Sequence, residues 1–265
     1  MSTAPRHGVA LGVAYGGTAF HGFAPQREVR TVYGVLLEAV RAMAADVTGL
    51  RGLSRTDAGV HARAQIVAFD SAQSIPARGW VLGLNHHLPA DLAVRSARAV
   101  PADFNPRFCA RGKRYVYSLW VDPLPDPLYA RTTWHVHTAF NLDAAREELE
   151  SARGVHDFAA FRSSTDTRPS TQRELTHVEL RARAGDPRLI ELVFEGPAFM
   201  HNMVRILAGT VVDVATGRKK PGAMRRALTS LQRGEAGRTA PPQGLLLERA
   251  EVTWPAPMGE AWPSS

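Results

Sequence analysis

One short segment, Ser54–Ala62, combines residue types that could do chemistry on a substrate. It reads SRTDAGVHA and places the carboxylate of Asp57 two residues after Arg55 and two residues before Gly59. An ionised carboxylate beside a guanidinium can act as a nucleophile or as a base. The same side chain in a turn is also typical of a helix cap or an Asx-turn, so the segment alone leaves both interpretations open.

The composition indicates a globular protein with an acidic or polyanionic partner. The chain has 265 residues, 45% of them hydrophobic, which suffices for one large or two modest domains with proper cores. Its formal charge is +7, and its 32 basic residues are all Arg except Lys113, Lys219 and Lys220. A general preference for Arg codons would explain the excess of Arg but not the positive sign. Guanidinium groups pair with phosphates and stack on bases, so RNA is the favoured partner.

Several classes of protein are disfavoured by what the sequence lacks. The single Cys109 cannot form a disulfide within the chain, which fits a reducing cytoplasm. No apolar run approaches the roughly 18 residues needed to cross a bilayer. His61, His86 and His87 lack metal-ligand spacing, and Gly16–Gly17 lacks the lysine of a phosphate-binding loop. We therefore expect a soluble, cytoplasmic protein with no metal, no cofactor and no membrane partner.

Strand-like and helix-like segments alternate along the first half of the chain, and they must position Asp57. Alternating apolar residues predict a buried strand over Val9–Tyr15, and Thr31 can cap an amphipathic helix that follows it. A strand then leaves the Asp57 segment at Ile66–Phe69. The prolines and polar residues of Pro101–Pro106 indicate the join between two halves.

The second half repeats the pattern. We expect a helix that starts at Asn141, turns Leu142, Ala145 and Leu149 inward and is capped by Gly154. The most hydrophobic helix is expected at Met200–Thr216. The remaining expected elements are a strand over Tyr115–Val121, a hairpin of Leu175–Arg183 with Leu189–Phe194, and a helix between Pro221 and Gly234.

Further motifs occur in order along nearly the whole chain. They are YGGTAFHGF at Tyr15–Phe23, RTDAGVHA at Arg55–Ala62, RF and KRYVY within Arg107–Tyr117, HDFAAF at His156–Phe161, FMHNMVR at Phe199–Arg205 and APPQGL at Ala240–Leu245. Together they resemble the signature segments of the TruA family of tRNA pseudouridine synthases. Gly16, Phe23, Tyr33 and Asn105–Pro106 depart from the family's pattern, which bears on local tRNA contacts and not on the chemistry.

The resemblance implies roles for three residues. Asp57 is the catalytic nucleophile, Arg205 is the counter-ion that keeps it charged, and Tyr115 contacts the target base. Tyr117, on the same strand face, is expected to serve packing. Arg55 is our candidate for a side chain that fills the gap left by an extruded nucleotide or holds its phosphates; the alternative is a simple surface charge.

Leu245 completes this set of site residues as an apolar wall of the pocket. Taken without the resemblance, an Arg on a helix flank is usually a solvated charge and a Tyr on a strand is usually a core residue. The motifs therefore carry these assignments, and the individual residue types do not.

The resemblance also implies a fold and a reaction. We expect an α+β protein with the pseudouridine synthase fold, in which two similar halves, 1–104 and 105–265, carry mainly antiparallel sheets flanked by helices around a central basic cleft. The expected reaction is isomerisation of uridine at positions 38, 39 and 40 of the tRNA anticodon stem-loop, by a homodimer. Whether Asp57 attacks the base or the sugar is left open.

Two other functions fit parts of the sequence. An RNA-binding protein without activity would account for the basic charge, but it has no reason to keep Asp57, Tyr115 and Arg205 together. An enzyme that hydrolyses glycosidic bonds in RNA would need a second carboxylic acid close to the first, and none accompanies Asp57 in its motif.

Overall fold

The computed structural model describes residues 6–256, 258 and 261–263. Within them the helices are α1 (Val32–Met43), α2 (Ala77–His87), α3 (Leu142–Glu150), α4 (Met203–Ala215) and α5 (Ala223–Ser230). The strands are β1 (His7–Tyr15), β2 (Arg51–Gly52), β3 (His61–Ser71), β4 (Leu92–Val100), β5 (Ala110–Val121), β6 (Trp134–Val136), β7 (Gly154–Asp157), β8 (Gln172–Leu175), β9 (His177–Arg183), β10 (Asp186–Gly196), β11 (Leu245–Val252) and β12 (Ala261–Trp262). Apart from β5 with β6, the strand pairs given below are antiparallel, so the expected α+β class is confirmed. Across these residues no helix has the length and apolar character to cross a membrane.

The chain forms two compact units. The first contains the residues up to Arg111 and from Arg249 onward, and the second is Gly112–Glu248. These units differ from the expected halves, 1–104 and 105–265, because the segment after Glu248 returns to the first unit. There the N–H of Thr253 donates to the carbonyl of Cys109 at 2.9 Å.

The first unit is a sheet with helices on one face. Its strand order is β12-β4-β1-β3, and the short β2 pairs with β3. Side chains alternate across β3, and fully buried Phe69 packs edge-on against Trp80 of α2 with ring centroids 5.1 Å apart. This contact shows which face of the sheet the helices cover.

The start of α1 follows from its capping residue. The hydroxyl of Thr31 accepts a hydrogen bond from the Gly34 N–H at 3.1 Å, which satisfies one of the free donors of the first turn. Val32, Leu36 and Val40 then form a buried stripe at helical spacing. The expected cap is confirmed.

In the second unit, β10 pairs antiparallel with both β5 and β9. β6 joins β5 as a parallel neighbour, and β7 and β8 form a separate hairpin. The register places Tyr115 opposite Phe194 and Tyr117 opposite Leu192. β11 begins in this unit and ends in the first.

Three details of the expected helices are wrong. Leu142 is 43% exposed instead of inward, since the first helical turn lies at the surface. Gly154 does not cap α3, which ends at Glu150, and its positive φ of 98° instead opens β7. α4 starts at Met203 and not at Met200, because Asn202 has a left-handed φ of 62° that interrupts the helix.

Candidate active site

Asp57 begins a tight turn that leads into β3. The Val60 N–H donates to the Asp57 carbonyl at 3.1 Å, and Gly59 has the positive φ of 80° required at the third position of a type II turn. No helix starts at this turn, so the interpretation of Asp57 as a helix cap is wrong. An Asx-turn would need the Gly59 N–H, which donates instead to the carbonyl of Phe20 at 3.2 Å.

The segment Gly17–Phe23 holds this turn along its length. The Phe23 N–H donates to the Thr56 carbonyl at 3.1 Å, and the Gly17 N–H donates to Nδ1 of His61 at 3.1 Å. Gly22 has a φ of 87°, and a Cβ there would lie 2.7 Å from the Thr56 oxygen. The two glycine-rich stretches of the sequence therefore fold as one unit around Asp57, because only glycine permits the close approach.

A buried polar network supports the base of the turn. The hydroxyls of Tyr15 and Thr56 are 2.8 Å apart, and the amide of Gln65 donates to the Tyr15 hydroxyl at 3.3 Å and to the Ser54 carbonyl at 2.7 Å. The Ser54 N–H returns a bond to Oε1 of Gln65 at 3.1 Å. Such a satisfied network in a dry interior fixes geometry, because each broken bond would leave a buried polar group without a partner.

An ion pair between Arg30 and Asp91 supports the Gly17–Phe23 segment. Arg30 makes two parallel bonds of 2.8 Å to the carboxylate of Asp91, and its guanidinium stacks 4.0 Å from the centre of the Phe20 ring. The hydrogen bonds from Arg30 hold the pKa of Asp91 below its usual range. Phe20 thus receives support on its ring while its carbonyl accepts from Gly59.

In the second unit, Arg205 projects from the first turn of α4. α4 is described in full and buries every residue except Arg205, which is half-buried. Its Nε donates to the Ala240 carbonyl and its Nη1 to Oδ1 of Asn202, each at 2.8 Å. These two bonds fix the plane of the guanidinium.

The Ala240–Leu245 segment connects α4 with β5. The Ala240 N–H donates back to the Arg205 carbonyl at 3.0 Å, and the Tyr117 hydroxyl donates to the Pro241 carbonyl at 2.7 Å. Burial raises the pKa of Tyr117, with Arg205 opposing the shift. Leu245 follows as a buried residue at the start of β11.

Tyr115 lies beside the residues that lead into α4. It is buried, and its ring meets that of Phe199 edge-on with centroids 5.0 Å apart. Asp166 braces this stretch by accepting from the His201 N–H at 3.0 Å. Hydrogen bonds from Arg168 hold the pKa of Asp166 well below its usual range, and Nη1 of Arg168 donates to the Phe199 carbonyl at 3.0 Å.

The expected site residues therefore form two groups. Exposed Arg55 and half-buried Asp57 share the turn in the first unit, and Tyr115, Arg205 and Leu245 lie in the second unit around α4 and β5. Sequence reasoning missed the residues that hold these groups in place. Tyr15 stood in a quoted motif, whereas Gln65, Asp91 and Asp166 gave no local signal.

The described residues contain no group of three or more His, Cys, Asp or Glu side chains placed to hold a metal ion.

The chain is similar to known proteins over most of its length. The model of a family described as tRNA pseudouridine synthase matches residues 12–109 and 150–251. The chain is 40% identical over 240 residues to tRNA pseudouridine synthase A of Citrifermentans bemidjiense, covering 90% of this chain and 95% of the relative. It is 38% identical over 241 residues to tRNA pseudouridine synthase A of Geobacter sulfurreducens, covering 91% and 98% of the two chains.

Among solved structures, the chain is similar to one from the archaeal box H/ACA sRNP Nop10–Cbf5 complex. The identity is 14% and the TM-score 0.35, over 78% of this chain and 43% of that chain. This likeness is too distant to add to what the sequence relatives show.

Proposed function

Since this chain belongs to the tRNA pseudouridine synthase family, it isomerises uridine to pseudouridine in tRNA, and we propose that its targets are nucleotides 38, 39 and 40 of the anticodon stem-loop. The observation that carries the proposal is the turn at Asp57. The backbone that carries its carboxylate is held by hydrogen bonds at Thr56, Gly59 and His61. A group that must meet a substrate atom in one geometry requires such a fixed position.

We assign the nucleophile's role to Asp57. Isomerisation breaks the bond between ribose C1′ and uracil N1, turns the base, and joins C1′ to C5. C5 releases its proton to water, and N1 takes up a proton. An ionised carboxylate can add to C6 of the ring or attack the sugar, and it leaves again when the new bond has formed. Both routes need the anion, and both regenerate it.

Arg205 is proposed to pair with Asp57 as its counter-ion. Its guanidinium is already oriented by Ala240 and Asn202, which supports a positioning role for a planar cation. Such a pair would keep Asp57 ionised in a site closed to water.

The remaining site residues are proposed to handle the extruded nucleotide. The ring of Tyr115 can stack on the uracil, and its hydroxyl can help to remove the C5 proton. Leu245 would form an apolar wall for the base. Arg55 is exposed, which suits a side chain that enters the gap in the stem or holds phosphates there.

The experiment uses tRNA transcripts that carry tritium at C5 of uridine. We expect the wild-type protein to release tritium to water and Asp57→Asn to release none while tRNA affinity stays within about threefold, because the amide keeps the shape but cannot act as the nucleophile. Asp143→Asn, at a carboxylate that is 95% exposed on α3, is the matched control and should retain turnover.

The outcomes separate the other functions. Appreciable turnover by Asp57→Asn would remove Asp57 from the nucleophile's role. A wild-type protein that binds tRNA without releasing tritium would be an RNA-binding protein only. Release of free uracil would instead indicate hydrolysis of the glycosidic bond.

A homodimer in the cytoplasm is proposed from the family resemblance. Sedimentation equilibrium of the purified chain should give twice the monomer mass of 28.8 kDa. A single species at the monomer mass throughout the micromolar range would contradict the dimer.

A further inference from the structure

Two β-bulges flank β1 in the first unit, and each contains an arginine. Between the pairs Gly12 with Ser96 and Val13 with Val94, β4 carries one extra residue, Arg95. On the other side, β3 has an extra residue in the stretch that contains Arg63. Bulges commonly redirect a side chain near a functional site.

Both arginines are exposed and lack counter-ions. Neither Arg63 nor Arg95 forms a salt bridge or a side-chain hydrogen bond with another described residue. They line a groove of about 350 Å³ together with Arg98, and no carboxylate is among the described residues that line it. Ala10 and Gly12 also line it. The charged side chains among these described lining residues are therefore all arginines.

The C-terminal segment supplies the groove's aromatic wall. β12 pairs with β4 through Trp262 opposite Ala97, and Trp262 and Trp254 both line the groove. The guanidinium of Arg98 lies 4.4 Å from the centre of the Trp254 ring, whose orientation is set by stacking on Phe104 at 5.8 Å. Arg98 is thus held in a fixed position by cation–π contact. Both tryptophans lie beyond residue 251, where the family match ends.

We propose that this groove binds the sugar–phosphate backbone of the tRNA strand that runs on from the target nucleotide. The inference rests on the proposed function for the identity of the polyanion. β3 starts at His61, directly after the Asp57 turn, so Arg63 lies near the start of the strand that follows the turn. Guanidinium groups bind phosphates through two parallel bonds, and an indole ring provides a surface for a ribose or an unpaired base.

The charge pattern favours RNA over a purely structural role for the bulges. Bulges that serve only to twist a sheet need no charge, and an exposed arginine without an acidic partner gains nothing from its position. Two such arginines lie on either side of one strand and a third is held on Trp254, so the groove offers three cations to a polyanion. The groove would thereby add affinity for tRNA without touching the reacting atoms.

The test compares two double variants with the same change in charge. Arg63→Gln with Arg95→Gln removes the two bulge arginines. Arg78→Gln with Arg225→Gln removes two exposed arginines of α2 and α5 and serves as the control. Tritium release gives KM and kcat for tRNA, and filter binding between 50 and 200 mM salt gives the dependence of affinity on salt.

We expect the bulge variant, Arg63→Gln with Arg95→Gln, to raise KM for tRNA about tenfold and to leave kcat unchanged. Its plot of log affinity against log salt should flatten by about 1.5, because each lost phosphate contact changes the slope by roughly 0.7 to 0.9. The control variant should change the slope by less than a third of that amount. Unfolding midpoints of all variants should agree, since none of these side chains is buried.

Two results would overturn the proposal that the groove binds the tRNA backbone. Equal effects of both double variants would show that only the bulk charge matters, and no effect of the bulge variant would show that RNA passes elsewhere. A wild-type protein that binds tRNA but releases no tritium would refute the proposed function alone, because the salt dependence of binding would still test the groove.

Discussion

Arg205 illustrates how a proposed site residue depends on groups both inside and outside its own motif. Two of its donors are used by the Ala240 carbonyl and by Asn202, so the remaining part of the planar guanidinium points in a defined direction. An ammonium group on a flexible stem cannot reproduce this fork. The role proposed for Arg205 therefore depends on the shape of the cation as well as on its charge.

Arg205→Lys should lower the single-turnover rate of tritium release by about 10- to 100-fold, which corresponds to about 1.4 to 2.7 kcal/mol and so to one charge-assisted hydrogen bond. Affinity for tRNA should change little, because the net charge is kept. Arg225→Lys at the surface of α5 is the control. A rate within about twofold of wild type would show that charge alone suffices at this position.

For single residues, the sequence predicts the proposed reacting groups better than the residues that hold them in place. Asp57 and Arg205 stand in long motifs, so their types and positions could be recognised. The partners of Arg205 include a backbone carbonyl 35 residues away, and Gln65 reaches Tyr15 across 50 residues of sequence. Contacts of this kind leave no local pattern, because any residue offers a carbonyl and the fold decides which one is near.

The Asp57 turn and the Gly17–Phe23 segment act as one element although they are separate in sequence. Their backbones approach closely at two glycines, where a side chain would collide with a carbonyl oxygen. A Cβ on Gly17 would lie 2.0 Å from the Val60 oxygen, and one on Gly22 would lie 2.7 Å from the Thr56 oxygen. The backbone geometry at Asp57 is thus set by main-chain contact.

Gly22→Ala should destabilise the protein by about 1 to 2 kcal/mol, since it combines a left-handed φ with a steric clash. Turnover should fall more than tRNA affinity, because the displaced Thr56 adjoins Asp57. Urea unfolding and tritium release measure the two effects. Gly16→Ala is the matched control, as a Cβ there meets nothing within 4 Å. Equal stability of Gly22→Ala and Gly16→Ala would contradict the close main-chain contact between the Gly17–Phe23 segment and the Asp57 turn.

Elements with a strong apolar period were predictable, and their ends were less so. The strand expected at Val9–Tyr15 is observed as β1 (His7–Tyr15), because its apolar residues alternate along the segment. α4 begins later than its apolar run suggests, since the left-handed Asn202 depends on tertiary contacts around the preceding turn. β6 and β12 are short strands that pair only because a long neighbour is present, so neither was expected.

Across the whole molecule, several carboxylates are stabilised in their ionised form by arginines. The pKa values of Asp91 and Asp166 are lowered mainly by hydrogen bonds from Arg30 and Arg168. A group whose pKa is lower in the folded state contributes stability above its unfolded pKa, about 3.9 for Asp, and loses this contribution as the pH falls through the folded value.

The free energy of unfolding should therefore stay level from pH 7 to about pH 5 and decline below about pH 4. Urea midpoints across this range measure the decline. Asp166→Asn should be less stable at pH 7 and should show a shallower loss in acid, because the amide does not titrate. A wild-type midpoint that is the same at pH 3 and pH 6 would contradict this account.

Arg205 is the one position of α4 that the surrounding core does not enclose. Random replacement along this helix should return close to the original residues at every other site, since each of them fills space among neighbours. We therefore expect substitutions that preserve turnover to be found at exposed positions more often than along this helix.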